Sequence, residues 1–333
     1  SCVLGILEAV EYLLQQNFQP ERTVLLAFGH DEEIGGSRGA AKIAALLEQR
    51  NIRAVLVLDE GGLIVLEGVP GITAPVALVG VAEKGYLSLE LTVHSNPGHS
   101  SMPPPETAIN ILSQAIVALQ EQPLPATLDG PLREMLVTIA PETGLPYNLL
   151  FSNLWAFGPI IKSQLAASPK SAALIRTTTA ATMFNSGIKD NVLPTTAQAV
   201  VNFRLKPGDS IAEVVDYVRR AIDDPRVEIS VIPGADQEAS SVSDHRSDQF
   251  VVLAKSIRQI YPDALVSPYI SVGGTDAKHY DRVSDNIFRF LPLKMNNEQL
   301  DSMHGNDEAI SADSYLRLIA FYSQIIRNSA GGL

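Results

Sequence analysis

"LLAFGHDEEIGGSRGAAKI", residues 25–43, decides the reading of the fold. The apolar run Leu25–Phe28, the acids Asp31, Glu32 and Glu33, the pair Gly35–Gly36 and a helical pattern follow one another without a linker. "PERTVLLAFGH" (20–30) reads as a buried strand and "SRGAAKIAALLEQRN" (37–51) as a helix, and "IRAVLVLDEGG" (52–62) supplies a second short apolar strand. Strand, helix and strand in that order predict a parallel sheet with crossover helices.

Working outward, "SCVLGILEAVEYLLQQN" (1–17) is helical, so the chain opens inside a helix with Ser1 in place of an initiator Met. An α/β layer rarely starts so, and the expectation is a segment upstream of this chain. From Glu83 the pattern changes. "GYLSLELTVHS" (85–95) alternates as a half-exposed antiparallel strand does, and "ETAINILSQAIVALQ" (106–120) is helical. "TTAQAVVNFRLKPG" (195–208), "SIAEVVDYVRRAIDD" (210–224) and "RVEISVIPG" (226–234) add strand, helix and strand. The α/β style resumes with "SDQFVVLAKSIRQIYP" (247–262), "ALVSPYISVGGTD" (264–276) and "SADSYLRLIAFYSQIIRN" (311–328). The predicted organisation is an α/β domain at 1–82 and 237–333 with a parallel-rich sheet. An α+β domain at 83–236 interrupts it and carries a Pro-rich helical insertion at about 121–180.

Composition narrows the function. The chain has 333 residues, 25 basic against 37 acidic, and a formal net charge of −12 with no basic stripe. Nucleic acid and anionic membranes are poor partners for such a surface. No apolar run reaches the roughly 18 residues of a bilayer span, so the chain reads as soluble. The compartment stays open, with the cytoplasm expected if no targeting segment lies upstream. One cysteine, Cys2, excludes internal disulfides and a cysteine-rich zinc site, leaving carboxylates and imidazoles for any metal.

Two strands end in acids, "AFGHDEE" and "LVLDEGG", and ligands in open parallel sheets bind beyond strand carboxyl ends. Glu32, Glu33 and Asp59 are therefore expected to meet. Adjacent residues in extended backbone point apart, so one glutamate could bind a metal while the other moves a proton. Acids at strand ends also cap helices, an equal alternative. Among the histidines, His304 on the polar loop "DSMHGNDEAISADSY" is the best candidate ligand, and His99 in "SNPGHSSMPP" is placed to donate to a substrate. His30, His94, His245 and His279 have no comparable setting.

In order along the chain, "FGHDEEIGG", "LDEGG", "NPGHSSMPP", "DNVLPTTAQAVVNFRLKPG", "GGTDAKHY" and "MHGNDEAIS" resemble the two-zinc peptidases and aminoacylases, nearest the carboxypeptidase S branch. The resemblance implies a zinc-peptidase-like α/β domain with an inserted lid domain that forms a homodimer. It implies Glu32 as general base, Glu33 and His304 as ligands of one zinc, and Asp59 as a ligand of the other. His99 would be the lid histidine that reaches the partner's active site. Asn191 and Arg204 would hold the substrate's carboxylate, and Gly273 and Gly274 would line the substrate loop.

Relatives carry a further zinc histidine and a bridging aspartate upstream of the region matching Ser1. The chain is accordingly expected to hold one zinc or none and to have little activity, with one sheet neighbour left partly unpaired. The implied reaction is hydrolysis of a peptide or N-acyl amide bond beside a free carboxylate. The alternatives are an N-acyl-amino-acid hydrolase and a non-catalytic relative that dimerises and binds carboxylates. A nucleotide-binding domain, suggested by "GGSRG", lacks the G-x-G-x-x-G spacing and sets acids where a pyrophosphate would be repelled.

Overall fold

The computed structural model describes residues 2–67, 69, 71–303, 305–306 and 308–331. The chain begins with helices α1 (Cys2–Gln15) and α2 (Ala40–Gln49) and strands β1 (Val57–Asp59), β2 (Ile64–Val65) and β3 (Val76–Glu83). Strands β4 (Gly85–His94) and β5 (Gly98–His99) follow, then helices α3 (Ala108–Glu121), α4 (Gly130–Ile139), α5 (Tyr147–Ser152), α6 (Leu154–Ala166) and α7 (Pro169–Ile175). Next come strands β6 (Thr178–Ser186), β7 (Val192–Leu193) and β8 (Thr196–Leu205), helix α8 (Ile211–Ile222) and strand β9 (Val227–Gln237). Helix α9 (Asp248–Ile260), strands β10 (Leu265–Ser271), β11 (Ile287–Arg289) and β12 (Lys294–Met295), and helices α10 (Asn297–Asp301) and α11 (Ala312–Ala330) complete it. Short 3-10 turns lie at Glu32–Ile34, Ala140–Glu142 and Asp276–Arg282. Among the described residues no helix is long and apolar enough to cross a membrane.

Two compact units result. The first gathers residues 1–83, 129–161 and 241–333; the second gathers 84–128 and 162–240. Residues 129–161, expected inside the smaller domain, thus pack with the α/β unit. The physical reason is an open sheet edge: β10 pairs with β3, and α4 lies against β10. Covering an edge strand with a helix shields its unpaired backbone groups.

In the first unit β3 is the inner strand, and of "VALVGVAE" only Leu78 escapes full burial. Both faces of the strand are covered, so apolar residues run on without alternation. Phe250, Leu253 and Ile257 of α9 and Phe321 and Ile325 of α11 pack with Val79, Val81, Phe288 and Phe290. Ala40 and Ala44 of α2 join Ala277, Tyr280 and Ile287 in a separate cluster. The sheet is mixed, which corrects the parallel reading. β10 runs parallel to β3 and β1 parallel to β11, whereas β11 and β2 run antiparallel to β3.

A second correction concerns "TVLLAFG" (23–29), read as a buried strand. It has no strand assignment, and Val24, Leu25, Leu26 and Phe28 are exposed. Among the described residues β1 is the last strand on its side of the sheet, paired with β11 alone. An apolar run becomes a buried strand only when a neighbour takes its backbone groups.

The second unit is an antiparallel sheet in the order β6-β8-β4-β9. Leu87, Leu89, Leu91 and Val93 of β4 meet Ile111, Leu112 and Ala115 of α3 and Val214 and Val218 of α8. β4 was expected to be half-exposed, but it lies between β8 and β9 and even its polar Ser88 and Thr92 are buried. Hydrogen-bonding side chains begin the two helices: Thr107 accepts from the Asn110 backbone N–H, and Ser210 from that of Glu213.

Lys84 ties down helix α7. Its Nζ donates to Ala173 O (2.9 Å) and Arg176 O (2.8 Å), carbonyls at the helix's C-terminal end. Burial, offset in part by Asp209 and reinforced by Arg204 and Lys206, pushes its pKa from 10.5 down to about 8. Below about pH 8 both folded and unfolded chains carry the proton and the desolvation cost is complete. Between about 8 and 10.5 the folded chain releases it first, so unfolding takes up a proton and stability rises with pH. The unfolding free energies of the wild type and Lys84→Met, compared by urea titration, should therefore diverge across that window by at most roughly 3 kcal/mol. A pH-independent difference would contradict the assignment.

Candidate active site

The stretch 31–39 folds around one carboxylate. Asp31, only 6% exposed, accepts from the backbone N–H groups of Arg38 and Gly39, both at 2.8 Å, and so secures the start of α2. These bonds, the Arg38 N–H foremost, hold the Asp31 pKa below the usual carboxylate range. Asp31 thus serves the loop that leads into α2, and neither Glu32 nor Glu33 shares that task. Glu32 and Glu33 do not lie on extended backbone as expected. Gly35 N–H donates to Glu32 O (2.8 Å) and Gly36 N–H to Asp31 O (2.8 Å), closing a 3-10 turn that ends on two left-handed glycines. Glu32 is half-buried and Glu33 exposed, so the turn still separates their side chains.

Acids crowd around Glu32. Burial first, then the Glu60, Glu33, Asp276 and Asp59 carboxylates, raise its pKa from 4.5 to about 7. Asp59, at the end of β1, is raised from 3.8 to about 6, mainly by burial. One of its oxygens accepts from Glu60 N–H at 2.9 Å, while Oδ2 is buried without a hydrogen-bond partner. Asp276 is also raised by burial, and its Oδ1 is likewise buried and unbonded. Two protonated tyrosines border the group: burial and the carboxylates of Asp59 and Asp276 push Tyr280 up to about 12, and burial with Cys2, Glu60 and Asp59 nearby raises Tyr322. The Cys2 thiol lies 3.7 Å from Glu60 Oε2.

Asp276 was not singled out in the sequence, although "GGTDAKHY" contains it. A Cβ on Gly29 or Gly36 would collide with its carboxylate, so these glycines let the acid reach the backbone of the 29–36 loop. His279 fixes the same loop, its Nε2 lying 2.9 Å from Gly35 O. Gly273 and Gly274 are exposed, and a Cβ on either would meet no atom within 4 Å. The loop therefore has open space beside it, and its glycines are not demanded by packing. His304 lies outside the described residues. The carboxyl-end rule does not apply as stated, because β1 runs opposite to β3 and β10; the acids meet through loops instead.

In the second unit His99 and Asn191 come together. β5 and β7 pair with His99 opposite Val192, and Ser100 N–H donates to Asn191 O at 3.2 Å. Ser101 N–H donates to His99 Nδ1 at 3.2 Å. A backbone N–H can only donate, so Nδ1 is the acceptor and the neutral ring carries its proton on Nε2. Asn191 Oδ1 is buried and unbonded. Arg204 does not join them. It lies opposite Tyr86, over whose ring its guanidinium stacks at 4.7 Å, near the far end of β8. Eight residues of strand separate Thr196 from Arg204, roughly 26 Å.

Comparison with known proteins follows this geometry. The pattern of Peptidase family M20/M25/M40 matches residues 1–328. The chain belongs to this family. It is 43% identical over 331 residues to the N-fatty-acyl-amino acid synthase/hydrolase PM20D1 of Xenopus tropicalis, covering 99% of this chain and 64% of the relative. It is 44% identical over 329 residues to "Probable carboxypeptidase S-like 2" of Dictyostelium discoideum, covering 98% and 63%. The chain thus spans less than two thirds of these relatives. The M20 family metallo-carboxypeptidase Sso-CP2 from Sulfolobus solfataricus shares the fold, with a TM-score of 0.68, 18% identity, and coverage of 98% of this chain and 74% of that one.

Family membership raises the question of a metal. The donor chemistry fits a divalent cation: oxygens crowded enough to repel one another, two of them buried without partners. Among the described residues, however, no three His, Cys, Asp or Glu side chains converge into a metal-holding group.

The glycine pair gives a test of this packing. Gly35 (φ +96) has free space around its missing Cβ, whereas Gly36 (φ +68) abuts Asp276. Gly35→Ala should cost about 1 kcal/mol through backbone strain, and Gly36→Ala about 1–3 kcal/mol more. Equal losses in urea unfolding would show that Asp276 does not occupy this position.

Proposed function

We propose that this chain forms part of a zinc-dependent amidohydrolase that cuts a peptide or N-acyl amide bond beside a residue with a free α-carboxylate. The observation that carries the reading is a gathering of acids: half-buried Glu32 lies with Asp59 and Asp276, each of which keeps a buried carboxylate oxygen unbonded, and burial with these neighbours raises Glu32 to about 7. A carboxylate with a pKa near 7 both takes up and returns a proton at neutral pH. Glu33, Asp59 and His304 are the residues that would hold zinc. When bound, zinc polarises the scissile carbonyl and eases deprotonation of water.

Glu32 takes the proton from the attacking water on a carboxylate oxygen and returns it to the leaving amine. His99, with its proton on Nε2, donates to the oxyanion that develops on the carbonyl. Asn191 of one copy and Arg204 of another would hold the substrate's carboxylate, and the loop at Gly273 and Gly274 is open. The relatives' names divide between N-fatty-acyl amino acids and peptides, and a panel of both substrates separates the two. In the zinc-loaded protein, Glu32→Gln should retain zinc and lose several orders of magnitude in turnover, while Glu33→Gln should lose zinc first. Equal zinc loss in both, measured by elemental analysis, would overturn these roles. Absence of turnover in the zinc-loaded wild type would favour a non-catalytic carboxylate binder.

The same reading includes a homodimer built through the second unit. A substrate touched by both His99 and Arg204 is reached more readily from two copies than from the two ends of one β8. Edge strand β6 supports this, exposing Met183 (55%) and Phe184 (43%) beside unpaired backbone. Phe184→Lys should halve the mass seen by light scattering; an unchanged mass would place the contact elsewhere.

A further inference from the structure

The sheet of the first unit buries an ion pair that the proposed chemistry does not use. Arg289 and Glu83 are both wholly inaccessible to solvent, with Arg289 Nε donating to Glu83 Oε2 at 3.0 Å. That oxygen also accepts from Thr275 N–H (3.1 Å) and Thr275 Oγ1–H (2.9 Å), so three donors converge on one atom. Arg289 Nη1 donates to Ile287 O at 3.2 Å. Thr275 Oγ1 accepts in turn from Ala277 N–H at 3.2 Å, starting the 3-10 turn whose first residue is Asp276.

On the other side Arg289 stands opposite Asp59 in the β1–β11 ladder, and Phe290 N–H donates to Asp59 O at 2.7 Å. Glycines make room for the arginine stem. A Cβ on Gly80 would sit 3.0 Å from Arg289 Cβ, and one on Gly61 would sit 3.3 Å from it and 3.2 Å from Thr275 Cγ2. The pair therefore links Asp59, through β11, to the loop that presents Gly273, Gly274 and Asp276.

Removing a guanidinium and a carboxylate from water costs several kcal/mol per ion, and well-packed apolar residues often stabilise a core as well. What apolar residues cannot supply is a charged, planar donor and a multiple acceptor that fix directions. We propose that Arg289, acting with Glu83, is a positioning residue: it fixes Asp59 and the 271–276 loop relative to each other so that both face one cation and one substrate. This rests on the zinc reading above, but the geometric part stands independently of it.

The test compares the wild-type chain with the apolar double variant Glu83→Met/Arg289→Met and with Arg289→Lys, using Co2+ as probe. Cobalt affinity is read from the visible spectrum, and backbone hydrogen exchange is followed over residues 57–62 and 271–278. Expected for both variants is a Co2+ affinity about 10- to 100-fold weaker, as for other residues that orient metal ligands. Exchange should be at least about tenfold faster in both segments while α9 and α11 stay protected. A merely structural role predicts a lower melting temperature with unchanged affinity of the folded protein, and that result overturns the proposal. If the wild-type chain binds no Co2+, affinity drops out of the comparison and exchange alone decides: faster exchange in both segments supports the positioning role, and unchanged exchange overturns it. If the double variant does not fold, Arg289→Lys carries the same comparison, because it keeps the charge and loses the fork.

Discussion

Negative charge gathered in a poorly solvated place is the constraint around which the first unit is arranged. Burial and neighbouring carboxylates raise the proton affinity of Glu32 and Asp59, burial raises that of Asp276, and a chain free to relax would spread these acids into water. Three devices prevent that. Asp31 gives its carboxylate to two backbone N–H groups and pins the turn at one end of α2. Gly29 and Gly36 admit the Asp276 carboxylate against the main chain. Behind Asp59, the Glu83–Arg289 pair keeps the sheet from yielding. Each device opposes electrostatic strain with geometry, and together they leave Asp59 Oδ2 and Asp276 Oδ1 unbonded in a protein interior.

The second unit solves a different problem. Its core is ordinary: leucines and valines of β4 and β8 against the apolar stripes of α3 and α8. Its polar residues lie along the sheet and the β5–β7 pair. Lys84 shows that burial of a cation can be accepted where two helix-end carbonyls receive it. Arg204 shows a milder form of the same accommodation, its guanidinium laid on Tyr86.

Elements with one wet and one dry face were legible in the sequence. α3, α8 and β8 carry clean periodicity, and the structure has all three in the expected places. Pairing was not legible. "TVLLAFG" has every property of a buried strand except a neighbour, and hydrophobicity cannot report a partner. Strand direction was missed for a related reason, since short apolar strands look alike whichever way they run. At the site, the acids of "HDEE" and "LDEGG" were visible as an unusual density of charge beside glycines. Asp276 carries no signal of its own, standing in "GGTDAKHY" like any acid that begins a turn. Glu83 and Arg289 were also readable in principle, because each is the lone charge in an apolar run, "VALVGVAE" and "IFRFL". A single charge inside a buried strand needs a partner, and two such strands in one sheet suggest the pair. The roles of His99, Asn191 and Arg204 came from family likeness, since neither spacing nor periodicity distinguishes them from surface residues.

The hydrogen bond from Ser101 to His99 has an effect beyond aiming a donor. Imidazole captures transition metals through an unprotonated nitrogen, and here that lone pair is already engaged while the outward nitrogen bears hydrogen. A metal reaching this imidazole would have to displace the serine contact or shift the ring's proton, so the contact biases the ring toward donating rather than ligating.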